Sequence, residues 1–297
     1  MKLSGLHLIL TYQCTFECDH CFVWGSPWQH GTMTLENIQH ILREAQQLGT
    51  VESIYFEGGE PFLYYGVLLA GVRLAARLGF AVGIVSNAYW ATSVEDAVEW
   101  LRPFAGMIGD LSVSSDLYHY DEQLSQQARN ARAAADQLGI PIGIISIARP
   151  ETAGAAIVGQ LPESDSGVMY RGRAVEKLAG HAVRRPWSQF TACPHEDLRE
   201  PGRVHVDPLG NLHLCQGIVV GNVFRTSLKE ICERYSPDLH PIIGPLLRGG
   251  PVEVVRQYGL PHGATYADAC HLCYTSRRLL RERFSEVLTP DQVYGVI

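Results

Sequence analysis

Three stretches of the chain share one pattern of apolar and polar positions. "QQLGTVESIYFEGG", "ARLGFAVGIVSNA" and "DQLGIPIGIISIA" each pass from an amphipathic segment through Leu-Gly into an apolar run rich in β-branched residues. The glycines Gly49, Gly79 and Gly139 keep a 30-residue step, with Gly109 near the missing position. Glycine there suits the left-handed residue that ends a helix. Before Gly49, a helix starting at Thr34 places Leu35, Ile38, Leu42, Ala45 and Leu48 on one stripe. Apolar runs near 6–12, 51–57, 81–87, 109–115, 141–147 and 166–170 read as strands. They look buried throughout rather than alternating, as parallel strands covered by helices do. The pattern predicts an α/β fold of about six β/α units, a partial (β/α)6 barrel rather than a closed eightfold one, with its chemistry at the C-terminal strand ends.

After about residue 180 the rhythm stops, so the chain divides into a unit over 1–180 and a smaller one over 181–297. In "GRVHVDPLGNLHLCQG", Val204 and Val206 alternate, Pro208 to Asn211 turn the chain, and Leu212 and Leu214 return it to Cys215, which predicts a hairpin. "TSLKEICERY" predicts a short helix with Leu228, Ile231, Cys232 and Tyr235 on one face, so Cys232 reads as a small buried hydrophobe. The segment 236–269, with its Pro- and Gly-rich "HPIIGPLLRGGP", reads as a lid or wall over the mouth, or as a linker.

Composition narrows the class. The chain has 297 residues, is 46% hydrophobic and carries a net charge of −7, with basic residues scattered apart from "RRLLRER" at 277–283. Nothing in that charge attracts nucleic acid or an anionic membrane. "MKLSGLHLIL" has too short an apolar run for a signal peptide or anchor, which points to the cytoplasm and reduced thiols. Eight cysteines in that setting read as ligands or catalysts rather than disulfides.

Cys14, Cys18 and Cys21, spaced x3 and x2, follow the first strand, and "FEGGEPF" at 56–62 closes the second, so both face one mouth. Three thiolates leave one iron of a four-iron cluster without a protein ligand. Structural zinc bound with His20 is the alternative. Asn87 and Asp116 stand at later strand ends, where each could equally cap a turn or helix. Arg171 and Arg173 read as a carboxylate grip or as an exposed helix start. Tyr89, Trp90 and Tyr118 sit near the mouth as packing aromatics, and none of the twelve histidines shows a ligand motif. Setting Cys232 aside, four later cysteines outside the predicted helices remain: Cys193, Cys215, Cys270 and Cys273, the number needed for one complete cluster or zinc site.

The C-x3-C-x-Φ-C loop, with His20 in its aromatic slot, and the Gly58-Gly59-Glu60-Pro61 element together resemble the radical S-adenosylmethionine (SAM) superfamily over approximately residues 5–175. The resemblance implies a [4Fe-4S] cluster on Cys14, Cys18 and Cys21 whose open iron holds SAM. Reductive cleavage would then give a 5′-deoxyadenosyl radical that abstracts hydrogen from a substrate. It implies SAM contacts from Gly58, Gly59 and Glu60, with Glu60 or nearby carbonyls accepting from the ammonium, and from Asn87, Ser114 and Asp116. Gly210-x4-Cys215, "GNVFRTSLKEIC" and Cys270-x2-Cys273 resemble the C-terminal auxiliary-cluster extension of such enzymes, in the short twitch form rather than the longer SPASM form. That implies a hairpin-plus-helix auxiliary domain with a second [4Fe-4S] cluster on Cys193, Cys215, Cys270 and Cys273.

The reading is a radical SAM oxidoreductase or maturase that oxidises or cross-links a peptide side chain. The alternatives are a small-molecule (alcohol or polyol) dehydrogenase, a radical SAM enzyme of nucleotide, tRNA or cofactor synthesis, and, remotely, a non-catalytic iron–sulfur or zinc scaffold. Expected partners are the peptide or small-molecule substrate and an electron donor such as flavodoxin or ferredoxin. Because the barrel begins so near Met1, a peptide would be delivered by a separate peptide-binding partner.

Overall fold

The computed structural model describes residues 1–150 and 165–296. Strands β1 (Leu3–Thr11), β2 (Ser53–Gly58), β3 (Ala81–Ser86), β4 (Asp110–Ser114), β5 (Ile142–Ile147) and β6 (Asp165–Ser166) lie side by side in chain order, all parallel. Helices α1 (Leu35–Leu48), α2 (Tyr65–Arg77), α3 (Val94–Leu101) and α4 (Gln126–Leu138) connect the first five. Among the described residues the sheet does not close on itself, so the architecture is the expected partial barrel. Thr34 caps α1 through a reciprocal bond with Asn37, and Gly49 ends it in the left-handed region. The last strand is shorter than the expected run over 166–170.

One expectation about the strands is corrected. Leu6, Leu8 and Leu10 of β1, Ile54 and Phe56 of β2, and Leu111 and Val113 of β4 pack into the helix-side core. Their neighbours His7, Tyr55, Glu57, Asp110 and Ser112 instead line a cavity on the concave face. The strands therefore alternate with period two. An open sheet curved around a cavity has a concave wall that meets water or substrate, and polar residues suit it.

On the other side of β1 lies β8 (Gly202–Val206), paired parallel to it, followed by antiparallel β9 (Asn211–Cys215) and β10 (Ile218–Asn222). The predicted hairpin thus forms and extends the barrel sheet. Its turn is organised by buried Asp207, which accepts from the amides of Leu209 and Asn211 at 2.9 Å and from the Tyr12 hydroxyl at 3.1 Å. Strands β7 (Arg185–Pro186) and β11 (Thr265–Tyr266) form a separate pair. The remaining helices are α5 (Ala174–Lys177), α6 (Leu228–Arg234), α7 (Ile243–Tyr258) and α8 (Ala269–Leu280).

The 236–269 segment is neither lid nor linker. It folds mainly into α7, bent at Gly249, Gly250 and Pro251, with Ile243, Leu246, Val252, Val254 and Val255 buried. Proline and glycine mark a kink inside a packed helix here, not a mobile loop. Among the described residues, no helix is long and apolar enough to cross a membrane.

Candidate active site

The cavity on the concave face measures about 610 Å³ and reaches from the inner strand residues to the cysteine loop after β1. Within the loop, the Cys14 amide donates to the Ser26 carbonyl and the Cys21 amide to the Cys18 carbonyl. Backbone amides point at sulfur: Phe16 N lies 3.5 Å from Cys14 Sγ and Gly25 N lies 3.2 Å from Cys21 Sγ. Burial pushes the Cys14 thiol up to about 12 and the Cys18 thiol well above its ordinary value. Protonated thiols gain little from those donors, whereas a bound metal deprotonates them and the amides then stabilise thiolate. Three sulfurs held this way fit an iron–sulfur cluster with one iron left free of protein.

The end of β2 is laid against this loop. A Cβ on Gly58 would stand 2.4 Å from the Thr11 carbonyl oxygen, and one on Gly59 would stand 2.1 Å from that of Gln13. No side chain fits, and the Gly59 and Glu60 amides donate to those carbonyls at 2.7 and 2.9 Å. Both glycines line the cavity.

Glu60 is placed differently from the expectation of an ammonium acceptor. Its carboxylate is fully buried behind the wall and accepts from the amides of Phe62 (3.0 Å) and Asn87 (2.8 Å) and from the Ser86 hydroxyl (3.0 Å). Burial raises its pKa to about 7 against the pull of those donors. Its oxygens are occupied in fixing the β3 end that carries Asn87.

Asn87, Ser114 and Asp116 do line the cavity. Asn87 Nδ2 donates to Thr15 Oγ1 at 3.0 Å and lies 3.6 Å from Cys14 Sγ, tying β3 to the cysteine loop. Asp116 is buried and accepts from the amides of Tyr118 and Ile147 and from His119 Nδ1 at 2.8 Å, with His20 Nε2 at 3.6 Å. Although burial opposes ionisation, the His119 and His20 imidazoles hold its carboxyl well below the usual carboxylate range. Of the mouth aromatics, Trp90 packs in the core on Phe62, whereas His20 lies against Tyr118 with ring centres 4.7 Å apart.

Arg171 and Arg173 are buried rather than exposed, although Arg173 does stand at the N-cap of α5 and Arg171 does pair with a carboxylate, that of Glu196. Arg173 donates to the carbonyls of Cys18 (2.7 Å) and Gly25 (2.8 Å), and its guanidinium lies over the Trp24 ring. Gly172, at φ +62, brings the backbone so close to Cys21 that a Cβ would stand 2.5 Å from the Cys21 carbonyl oxygen. Arg171 points the other way, toward Cys215 Sγ and Glu196, both at 3.3 Å. Its side chain borders the main cavity and a second, smaller one.

That second cavity gathers Cys193, Cys215, Cys270 and Cys273 with Arg171 and Arg277. Cys270 and Cys273 lie in the first turns of α8, which is capped by Asp268, and not outside helices as the sequence suggested. Burial raises the thiols of Cys193 and Cys270 and pushes Cys273 up to about 12, with Arg171 opposing it at Cys270 and Arg277 at Cys273. Four sulfurs beside two guanidiniums and a helix N-terminus fit a fully thiolate-ligated, negatively charged cluster. Cys232 lies elsewhere, buried on α6, where its carbonyl accepts from the N-terminal ammonium at 2.8 Å.

Sequence reasoning passed over His7, Tyr55, Glu57, Asp110 and His205. The signal was present as alternation in "LHLIL" and "SIYFEG", hidden by the apolar partners on the helix side.

Residues 8–136 match the model of the Radical SAM superfamily. The match spans less than half of the chain, and over it the chain is similar to that superfamily, the likeness that the cysteine loop and the double glycine had already suggested. It is 28% identical over 122 residues to the putative peptide biosynthesis protein YydG of Bacillus subtilis (strain 168), covering 41% of this chain and 38% of that one. It is 33% identical over 82 residues to an S-adenosylmethionine-dependent nucleotide dehydratase of Selenomonas ruminantium, covering 28% and 29%. The chain thus spans less than two-fifths of the length of these curated relatives. Its fold matches that of native anSMEcpe with bound AdoMet at a TM-score of 0.54 and 14% identity, covering 99% of each chain.

Proposed function

We propose that this enzyme removes hydrogen from a peptide side chain, oxidising or cross-linking it, with SAM bound at Cys14, Cys18, Cys21 and the Gly58–Gly59 strip, and with a second [4Fe-4S] cluster in a twitch-like unit over 181–297. The observation that carries the reading is one cavity with the three-cysteine loop in its wall and Arg171, in contact with Cys215, in the same wall. A substrate there lies between the two cysteine sets.

The SAM cluster, when bound, supplies a 5′-deoxyadenosyl radical for hydrogen abstraction. The chain's own residues do the placing. Gly58 and Gly59 let the end of β2 lie directly against the backbone that leads into the loop, and Asn87 joins the loop to β3. Asp116 stays ionised and orients His20 and His119 beside the cavity. Arg171 keeps a positive charge at the second set, which favours retaining an added electron there. The YydG relative, named for peptide biosynthesis, supports a peptide as substrate.

The test is to incubate the enzyme, SAM and a reductant with short peptides encoded beside its gene. Loss of two hydrogens in mass, or a new cross-link, supports the reading. The second reading, a small-molecule dehydrogenase, draws on the polar lining from His7, Glu57, Asp110 and Ser112. Oxidation of a polyol or sugar with stoichiometric 5′-deoxyadenosine, and no change in any peptide, would replace the first reading with the second.

A further inference from the structure

We propose that His7, Glu57 and His205 form a mononuclear divalent-metal site in the wall of the cavity, separate from both cysteine sets, with open coordination positions for a substrate oxygen. The sheet register builds it. His7 on β1 and His205 on β8 are direct partners across two parallel strands, and Glu57 on β2 stands opposite Ile9, one inward-facing position further along. Three neighbouring strands thus turn two imidazoles and a carboxylate to the same side.

His7 Nδ1 lies 2.9 Å from Glu57 Oε2, and His205 Nε2 lies 2.9 Å from Glu57 Oε1. All candidate ligand atoms fall within 4.8 Å of one another. Adjacent donors each about 2.1 Å from one ion are separated by about 3 Å, so little movement is needed to enclose it. Two imidazoles and one carboxylate suit a first-row ion such as zinc, manganese or ferrous iron, and carry too much nitrogen for calcium or magnesium.

The surroundings support a built site. Tyr55 stacks on His7 with ring centres 4.8 Å apart and planes at 13°. Gly83 makes room for that ring, since a Cβ there would stand 2.3 Å from it. Asp110 lines the same cavity and adds to its negative potential. His7 and Glu57 line the cavity and His205 is buried beside His7 on the same side of the sheet, so the positions of an ion that face the cavity are open to the substrate. The substrate class this selects carries a carboxylate, carbonyl or hydroxyl oxygen. That last step rests on the proposed function, in which the cavity holds the substrate.

The experiment uses the anaerobically prepared holoenzyme, equilibrated with Co²⁺ and dialysed, with cobalt and iron counted by mass spectrometry. One retained cobalt per chain is expected, and its X-ray absorption should show nitrogen and oxygen neighbours with imidazole scattering and no sulfur. No retained cobalt, or sulfur in its shell, overturns the proposal. Glu57→Gln and His205→Gln should each weaken retention by at least about tenfold, with iron content reporting on their folding; wild-type retention in a folded variant also overturns it. Acetate, as a carboxylate probe, should alter the cobalt EPR spectrum, and an unchanged spectrum contradicts the open positions. Cobalt bound through nitrogen and oxygen in protein that takes up no iron would sink the cluster assignment and leave this site standing.

Discussion

At the residue scale, Arg173 shows how one buried side chain can hold a loop. Its guanidinium donates to the Gly25 carbonyl and to the Cys18 carbonyl, which also accepts from the Cys21 amide. Leaving buried acceptors unpaired costs about 1–3 kcal/mol each. Arg173→Ala, which leaves the Gly25 carbonyl without this donor, should therefore lower unfolding free energy by about 1–3 kcal/mol in denaturant titrations and reduce iron uptake at the first site. Unchanged stability would show that Arg173 is dispensable. The sequence revealed Cys14, Cys18, Cys21 and the double glycine because their chemistry is fixed by spacing, but it left Arg173 open, since an arginine's partners depend on residues about 150 positions away.

The buried carboxylates give opposite signs with pH. Glu57, Asp116 and Asp207 have folded pKa values below their ordinary ones, held there by His205 and His7, by His119 and His20, and by His213, against burial. Their stabilisation is present above the unfolded carboxylate range and is lost as pH falls below about 4. Glu60 behaves the other way: its pKa is raised to about 7, so its favourable contribution is present below about 4.5 and is lost as pH rises through neutrality. Urea midpoints for Glu60→Gln should change less between pH 5 and pH 8 than those of the wild type. An identical pH slope would contradict the burial argument.

At the scale of elements, the 30-residue rhythm disclosed the helices and parallel strands, because Leu-Gly termini and apolar runs are local signals. What stayed hidden was nonlocal. Alternation in β1 and β2 has meaning only once a cavity lies on one side, and the Pro-Gly stretch of α7 is a kink only once Ile243 and Val254 have a core to enter. The helix face of Cys232 was legible, whereas the helical setting of Cys270 and Cys273 was not, because Asp268 caps α8 without a long apolar stripe after it. Cys232→Ala should keep the full iron content, and Cys193→Ala should lose about four irons per chain. The reverse result would mean that the ligand set has been misassigned.

At the scale of the whole molecule, the two cysteine sets fall on either side of residue 180 in the sequence while a single sheet takes strands from both sides. β8 pairs with β1 along five residues, and Val204, Val206 and Leu212 enter the same core as Leu6 and Phe56. Residues 1–180 alone would expose β1 as a long apolar edge, a template for aggregation. Such a fragment should fail to fold cooperatively, and the full chain should unfold in one transition. Independent folding of the fragment would argue for two separable bodies. The measurement that bears most directly on the account is iron and sulfide content after anaerobic reconstitution. We expect about eight irons per chain, two clusters of four, and about four when Cys14, Cys18 and Cys21 are all replaced by alanine, with SAM cleavage abolished. Retention of all the iron, or continued release of 5′-deoxyadenosine by that variant, would contradict it.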